Sequence, residues 1–169
     1  MTDSPDEPEN LQDLLLAYAP RVYGLLLRMV GRREVAEDLM QETLLRAFRG
    51  LDAYRPEGKF RAWIFHIALN QARDWIRRQQ RRPLVSDGPP PAADAPPEGA
   101  AIARERDRRI QQALARLSEP DREVLLMRYY GDMTFKDIAR ARGEPLGTVL
   151  ARAHRALKKL GGLIPEDDR

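Results

Sequence analysis

Residues 60–82 read FRAWIFHIALNQARDWIRRQQRR and combine large apolar side chains with a cluster of arginines. At 100° per residue, its large apolar side chains fall on two adjoining sides of one helix, which is typical of a helix packed against others. Its arginines concentrate toward the C-terminal end, where five of the six lie between positions 73 and 82. We therefore predict a core helix with one basic edge.

A polar stripe runs along one edge of the same predicted helix. Its members follow one another at spacings of three or four residues, which places them in one line: Trp63, His66, Asn70, Arg73 and Arg77. An exposed aromatic ring can stack on unpaired bases, and arginines can hold a nucleic-acid backbone. Trp63 also fits the alternative of a core aromatic side chain at the helix margin, and the sequence leaves both interpretations open.

Charge is unevenly distributed along the 169 residues, although the formal net charge is only +3. Residues 1–10, interpreted as an acidic tail, carry four acids and no base, whereas residues 73–82 carry five arginines against Asp74 alone. Such asymmetry favours a polyanionic partner for the basic segment. On charge alone, an ordinary solvated basic face is an equal alternative.

Several classes of function lack the residues that they need. There are no cysteines, so we expect no disulfide and no thiolate metal site. The two histidines, His66 and His154, are far apart in the chain and have no nucleophile motif around them. We therefore predict no catalytic residue, no metal and no cofactor. The acidic start argues against a secretory signal, and no stretch approaches 18 apolar residues, so we expect a cytoplasmic protein without membrane insertion.

Residues 83–104 are interpreted as a flexible Pro/Ala-rich linker. Residues 83–103 alone hold six of the thirteen prolines and no aromatic residue, a composition that does not form a packed core. On either side, apolar residues recur every three or four positions, which predicts helices. We therefore predict an all-α protein of two small helical domains, residues 11–82 and 105–163, with a short tail at 164–169.

Residues 133–160, MTFKDIARARGEPLGTVLARAHRALKKL, have the form of a helix-turn-helix. Thr134 and Asp137 make a capping-box-like start, and Gly143 suits the positive φ that ends the first helix. The inner side of the second helix is assigned to Val149, Ala156, Leu157 and Leu160. Another side of the same helix carries four polar or basic residues at spacings of four, three and four: Thr148, Arg152, Arg155 and Lys159. Side chains aligned in this way can reach into a major groove together. We hypothesise duplex DNA binding; an αα-hairpin with a solvated basic face is the alternative.

The predicted helix at residues 36–48, AEDLMQETLLRAF, separates an inward stripe from an acidic side. The inward stripe is assigned to Leu39, Met40, Thr43, Ala47 and Phe48. The outer side collects Glu37, Asp38, Gln41, Glu42 and Leu45. An acidic face repels DNA, so a partner there is expected to be a protein that contacts Leu45 as an apolar anchor. A solvated acidic face is the alternative, and the helix taken alone favours it.

Taken together, these motifs resemble a known family. The segment AEDLMQETLLRAFRGLDAYRPEGKFRAWIFHIALNQARDWIRR is followed after the linker by LSEPDREVLLMRYYGDMTFKDIA and PLGTVLARAHRAL. In this order they closely resemble bacterial RNA polymerase sigma factors of the extracytoplasmic-function (ECF) type, within the sigma-70 family. The resemblance covers both predicted domains, and the combination is far more specific than a helix-turn-helix alone.

The resemblance implies a σ2 domain at 11–82 and a σ4 domain at 105–163, bound to core RNA polymerase and to promoter DNA, double- and single-stranded. By analogy, contacts to the polymerase, on the β′ clamp helices with the β subunit as a further partner, come from Asp38, Gln41, Glu42 and Leu45. Contacts to the −10 element are expected from Lys59, Trp63, His66, Asn70, Arg73 and Arg77. Contacts to the −35 element are expected from Thr148, Arg152, Arg155 and Lys159. The family also implies a separate anti-sigma factor.

The sequence departs from the family pattern on the second helix of the helix-turn-helix. Leu150 and Ala151 stand where many members carry a lysine and a serine, and Glu144 replaces a usual apolar residue, which leaves the −35 sequence open. Because the sequence ends soon after σ4, we expect no fused regulatory domain there. A helix-turn-helix regulator acting without polymerase is the alternative function, but it leaves the acidic face and the stacking edge unexplained. A metal-dependent or hydrolytic enzyme would need a histidine or cysteine near its acidic residues. The acids at 37, 38 and 42 have no such neighbour in the sequence, so we do not expect this function.

Overall fold

A computed structural model of the chain describes residues 11–54, 60–81 and 98–163. Predictions that lie outside these residues concern the acidic tail 1–10, Lys59, the linker up to residue 97 and the tail 164–169. Every regular element within the described ranges is a helix, so the all-α prediction is confirmed.

The first module is a bundle of three long helices. Its elements are α1 (Leu11–Val30), α2 (Arg33–Gly50), a 3₁₀ turn (Leu51–Ala53) and α3 (Phe60–Arg81). Each of the three helices packs against the other two. The largest fully buried side chains of the module include Leu25, Leu26, Ile64, Phe65 and Leu69. Three of these side chains belong to α3, and burial of one such side chain stabilises the fold by about 1.5–3 kcal/mol. Helix α3 is therefore a core helix, as its sequence predicts.

The second module contains four helices. They are α4 (Glu98–Ala115), α5 (Glu119–Tyr129), α6 (Phe135–Arg142) and α7 (Leu146–Gly161). The first of them begins inside the segment predicted as a linker, so residues 98–104 are helical. The prolines of that segment end at Pro97, and the alanine-rich sequence that follows favours a helix.

Helices α6 and α7 form the predicted helix-turn-helix. The hydroxyl oxygen of Thr134 accepts a hydrogen bond from the Asp137 N–H at 3.2 Å, and the hydroxyl donates to the Asp137 carboxylate at 2.6 Å. Gly143 ends α6 with a φ of +63°, in the left-handed region. The N–H of Glu144 then donates to the carbonyl of Ala139 at 3.0 Å. Both the capping and the turn predictions are confirmed.

Two apolar side chains that the sequence assigned to the core face solvent instead. Phe48 is 53% exposed and Leu157 is 47% exposed. Each follows a buried alanine, Ala47 or Ala156, by one residue and is therefore turned 100° away from the packed side. On α7, Ala153 takes the inward position that the prediction gave to Leu157.

The two modules pack against each other. Helix α1 contacts α4 and α5, and helix α3 contacts α6. The backbones of the two modules leave little room at Gly24, where a Cβ would lie 2.4 Å from a ring carbon of Tyr130. Only glycine leaves room for that ring, so the packing of the modules depends on a missing side chain.

Candidate nucleic-acid interface

The four side chains predicted to read DNA from α7 lie on one flank of that helix, and the three basic ones are engaged by their own module. Arg152 Nε donates to Glu144 Oε2 at 2.9 Å, and Arg152 Nη1 lies 3.5 Å from Asp121 Oδ1. Arg155 Nη2 donates to the same Asp121 oxygen at 3.0 Å. Lys159 Nζ donates to the carbonyl of Arg116 at 2.5 Å. Thr148, in the first turn of α7, is half-buried.

These contacts change the acidity of the groups involved. Burial raises the pKa of Glu144, but hydrogen bonds from Arg142 and Arg152 outweigh it, so the net pKa lies below the ordinary value. Burial likewise raises the pKa of Asp121, and the hydrogen bonds that it accepts, from Arg155 first, bring the net pKa below the ordinary value. Hydrogen bonding to Glu144 raises the pKa of Arg152. Both acids are therefore carboxylates near neutral pH.

The edge of α3 that was predicted to hold DNA is only partly open. His66 and Asn70 are exposed, and the Asn70 amide lies 3.4 Å from the His66 ring nitrogen Nδ1. Arg77 is exposed and pairs with Asp74. Arg73 is turned toward the second module, where it meets Glu123.

Trp63 is partly packed in the core and partly exposed, so each of the two interpretations that the sequence left open describes part of its ring. Its ring is half-buried, with its centroid 4.9 Å from that of Tyr54 and 5.5 Å from that of Phe60. A Cβ on Gly50 would lie 3.0 Å from the indole ring, so α2 approaches the ring closely. One side of the ring therefore packs on the module, and the other part remains accessible to solvent.

A buried carboxylate joins the two modules, and the sequence analysis missed it. Glu123 on α5 is 1% exposed and accepts two hydrogen bonds from Arg73, Nε to Oε1 and Nη2 to Oε2, each at 2.5 Å. Arg142 on α6 also donates to Glu123 and, through Nη2, to Glu144 Oε1 at 2.9 Å. The available signal was a glutamate on the apolar side of a helix, three and four residues before Leu126 and Met127.

A cleft of about 290 Å³ lies at the same junction. Side chains of α3 line one side of it, including His66 and Arg73, and α5 and α6 supply Met127 and Arg142. Arg73 thus belongs at once to the predicted DNA-holding edge and to the contact between modules.

The predicted protein-binding side of α2 is exposed. Asp38, Gln41 and Leu45 face solvent, and Glu42 is half-buried and accepts from Arg46 Nε at 2.6 Å. The exposed ring of Phe48 lies one turn beyond Leu45, so the apolar part of this surface is larger than predicted.

The described residues hold no group of three or more histidine, cysteine or acidic side chains that could bind a metal ion. In the same ranges, no helix is long and apolar enough to cross a membrane.

Two family models match the chain: Sigma-70 region 2 over residues 14–82 and Sigma-70, region 4 over residues 107–160. The RNA polymerase sigma factor CarQ of Myxococcus xanthus is 35% identical over 158 residues, which cover 92% of this chain and 89% of CarQ. The ECF RNA polymerase sigma factor EcfG of Rhodopseudomonas palustris (strain TIE-1) is 30% identical over 94% of this chain and 87% of EcfG. The chain belongs to the ECF-type RNA polymerase sigma factors.

A solved structure shows the same fold. It is the sigma factor RpoE in complex with the anti-sigma factor NepR from Bartonella quintana, with a TM-score of 0.71, 23% identity, and coverage of 92% of this chain and 97% of that chain. The resemblance drawn from the sequence is therefore confirmed, as is the two-module helical fold. This sigma factor is a transcription initiation factor that binds core RNA polymerase and directs promoter-specific initiation.

Proposed function

We propose that this sigma factor divides promoter recognition between its modules, with residues 11–82 on the −10 element and residues 105–163 on the −35 element. Residues 83–104 connect them, and no chemical step is carried out by the chain itself. The observation that carries the proposal is the intact helix-turn-helix, capped by Thr134 and Gly143, placed after a bundle with an exposed acidic and apolar face. The site of action is the cytoplasm, where RNA polymerase transcribes.

On the −10 side, the exposed part of the α3 edge is the surface proposed to hold separated strands. His66, Asn70 and Arg77 support this because they are exposed in line, and Trp63 supports it through the accessible part of its ring. Arg73 joins them only after it leaves Glu123. Holding the −10 strand therefore requires that the two modules separate at this contact.

On the polymerase side, the proposed contact is the α2 face. Leu45 and Phe48 offer an apolar centre, and Asp38, Gln41 and Glu42 surround it with polar and acidic groups. A partner helix pair with basic residues, such as the β′ clamp helices, is complementary to this surface. By family analogy, and because RpoE was solved with NepR, an anti-sigma factor is proposed as a further partner.

Reconstituted transcription tests the proposal directly. Core polymerase with this chain should start transcription at a defined set of genomic promoters, and the start sites should share two spaced elements. The double variant Gln41→Ala, Leu45→Ala should lose most association with core polymerase, whereas Leu16→Ala, an exposed leucine on α1, should not. If the chain binds specific duplexes but never associates with core polymerase, the alternative of a polymerase-independent regulator is correct instead.

A further inference from the structure

The outward surface of α7 near its start lacks hydrogen-bonding side chains. Leu146 and Leu150 are 37% and 44% exposed, and Ala151 is exposed beside Leu150. Gly147 adds no side chain, and nothing lies within 4 Å of the position that a Cβ would take. Over this first part of α7, the exposed side chains of Leu146, Leu150 and Ala151 offer methyl groups only, and the next outward side chain is His154.

Arg152, the arginine that follows Ala151 in the sequence, is poorly placed to read guanine. Two of the three guanidinium nitrogens of Arg152, Nε and Nη1, face the carboxylates of Glu144 and Asp121. A bidentate contact to guanine needs two adjacent nitrogens of one guanidinium. Because at least one nitrogen of every such pair is engaged, Arg152 has only Nη2 for DNA and is better placed for a single phosphate contact.

The major groove contains one apolar group that matches an apolar surface, the 5-methyl group of thymine. We propose that α7 recognises the −35 element through thymine methyl groups, with Leu150 and Ala151 as the contacting side chains. The inference rests on the proposed function, in which α7 enters the major groove of that element. It assigns a specificity role to two residues that have no hydrogen-bonding capacity.

Arg152, Arg155 and Lys159 then take a different role from base reading. They lie on the flank of α7 beside the apolar surface, and their partners on α5 and in the turn before α7 hold them in place. From that flank they can contact the backbone, which fixes the register of the helix without selecting a base.

Replacement of thymine by uracil tests the proposal, because it removes the methyl group and leaves every hydrogen-bonding group of the base unchanged. Holoenzyme made from the full chain and core polymerase first selects −35 sequences from a randomised promoter library. Each thymine of the selected element is then replaced by uracil in turn. We expect about fourfold weaker binding at one or two of these positions, the value for one buried carbon.

Two leucine variants locate the contact on the protein. Leu150→Ala should reduce the thymine-to-uracil ratio toward one. Leu157→Ala is the matched control, since Leu157 is equally exposed on the same helix but lies seven residues, about 10.5 Å, further along the axis. It should leave the ratio unchanged.

The possible outcomes distinguish failure of thymine-methyl recognition from failure of the proposed function, −35 recognition by α7. A holoenzyme that selects a −35 element but tolerates uracil at every thymine, or whose element contains no thymine, overturns methyl recognition and leaves the proposed function standing. A ratio that falls equally in Leu150→Ala and Leu157→Ala overturns the assignment to Leu150. A chain that imposes no −35 preference on core polymerase overturns both. The uracil arm uses the unaltered protein, so it does not depend on how a variant folds.

Discussion

At the scale of single residues, Glu123 connects the two modules, although no motif on α5 indicates this role. Its carboxylate is almost fully buried and accepts from Arg73 and Arg142, which come from different modules. A carboxylate removed from water is costly unless charged donors replace its hydration. The two arginines provide those donors, so the three side chains depend on one another.

Glu123→Gln should lower the free energy of unfolding by about 3 kcal/mol, because an amide leaves two guanidinium groups short of an anion. Urea denaturation measures this loss. Glu119→Gln is the control, since Glu119 lies one turn away, is partly exposed and approaches Arg73 only to 3.9 Å. Its loss should stay below about 1 kcal/mol. Equal stability of the two variants would contradict the role given to Glu123.

The lowered pKa values of Asp121 and Glu144 predict how stability depends on pH. Ordinary values are 3.8 and 4.5, and the folded values lie below them. Above about pH 4.5 both groups are ionised in either state, and their ion pairs stabilise the fold fully. Below it the unfolded chain takes up protons first, so the free energy of unfolding should fall as pH falls. Urea titrations between about pH 6 and pH 3 check this sign, and Glu144→Gln should flatten the curve.

At the scale of elements, α6 shows that residues at its own ends determine where a helix of the helix-turn-helix starts and stops. Its start depends on the Thr134 hydroxyl and its end on the positive φ of Gly143, and both signals are readable from residue type. The side of a helix that packs in the core depends on the neighbouring helices as well as on its own residues. Phe48 and Leu157 were misassigned because one residue of rotation decides between core and solvent, and only the neighbouring helices fix that rotation.

Thr134→Ala should lower the free energy of unfolding by about 1 kcal/mol, because the first turn of α6 loses the acceptor for the Asp137 N–H. Thr134→Ser keeps a hydroxyl in the same place and should recover most of the loss. Denaturation of both variants checks the prediction. A loss of the same size in the serine variant would mean that the methyl group of Thr134, rather than its oxygen, stabilises the turn.

At the scale of the whole molecule, the modules meet through arginines of the first and acceptors of the second. Arg28 Nε donates to the Tyr130 hydroxyl at 3.2 Å, and Arg61 Nη1 donates to the carbonyl of Asp132 at 2.6 Å. Arg73 and Glu123 complete the contact. Gly24 leaves room against α1 for the ring of Tyr130, the residue whose hydroxyl accepts from Arg28.

Gly24→Ala should open this contact although it improves the helix itself. Alanine favours a helix by about 1 kcal/mol over glycine, but its Cβ would lie 2.4 Å from the Tyr130 ring. The native chain has no cysteine, so labels on Arg33→Cys and Lys158→Cys report the distance between modules by energy transfer. Transfer should fall in Gly24→Ala.

Gly161→Ala is the control for that experiment, because nothing lies within 4 Å of its Cβ position. Its transfer efficiency should match that of the unaltered chain. Unchanged transfer in Gly24→Ala as well would show that the ring can move aside without separating the modules.

Periodicity predicted two helical modules and capping residues predicted the start and end of α6, while the motifs in their order carried the resemblance to the family. It could not predict that Arg73 faces Glu123. The two residues are 50 positions apart, on opposite sides of the proline-rich segment, and no periodic pattern links them. The −10 edge was therefore predicted as one continuous line, whereas the structure divides it at Arg73.

The pairing of Arg73 with Glu123, a carboxylate of its own chain, also has a consequence for ion exchange. When such an arginine moves to a phosphate, the DNA gives up a bound cation, but the carboxylate left behind attracts one from solution. The net number of ions released is then smaller than the number of contacts formed. The affinity of this chain for a promoter should therefore fall less steeply with ionic strength than the number of arginine–phosphate contacts alone would predict.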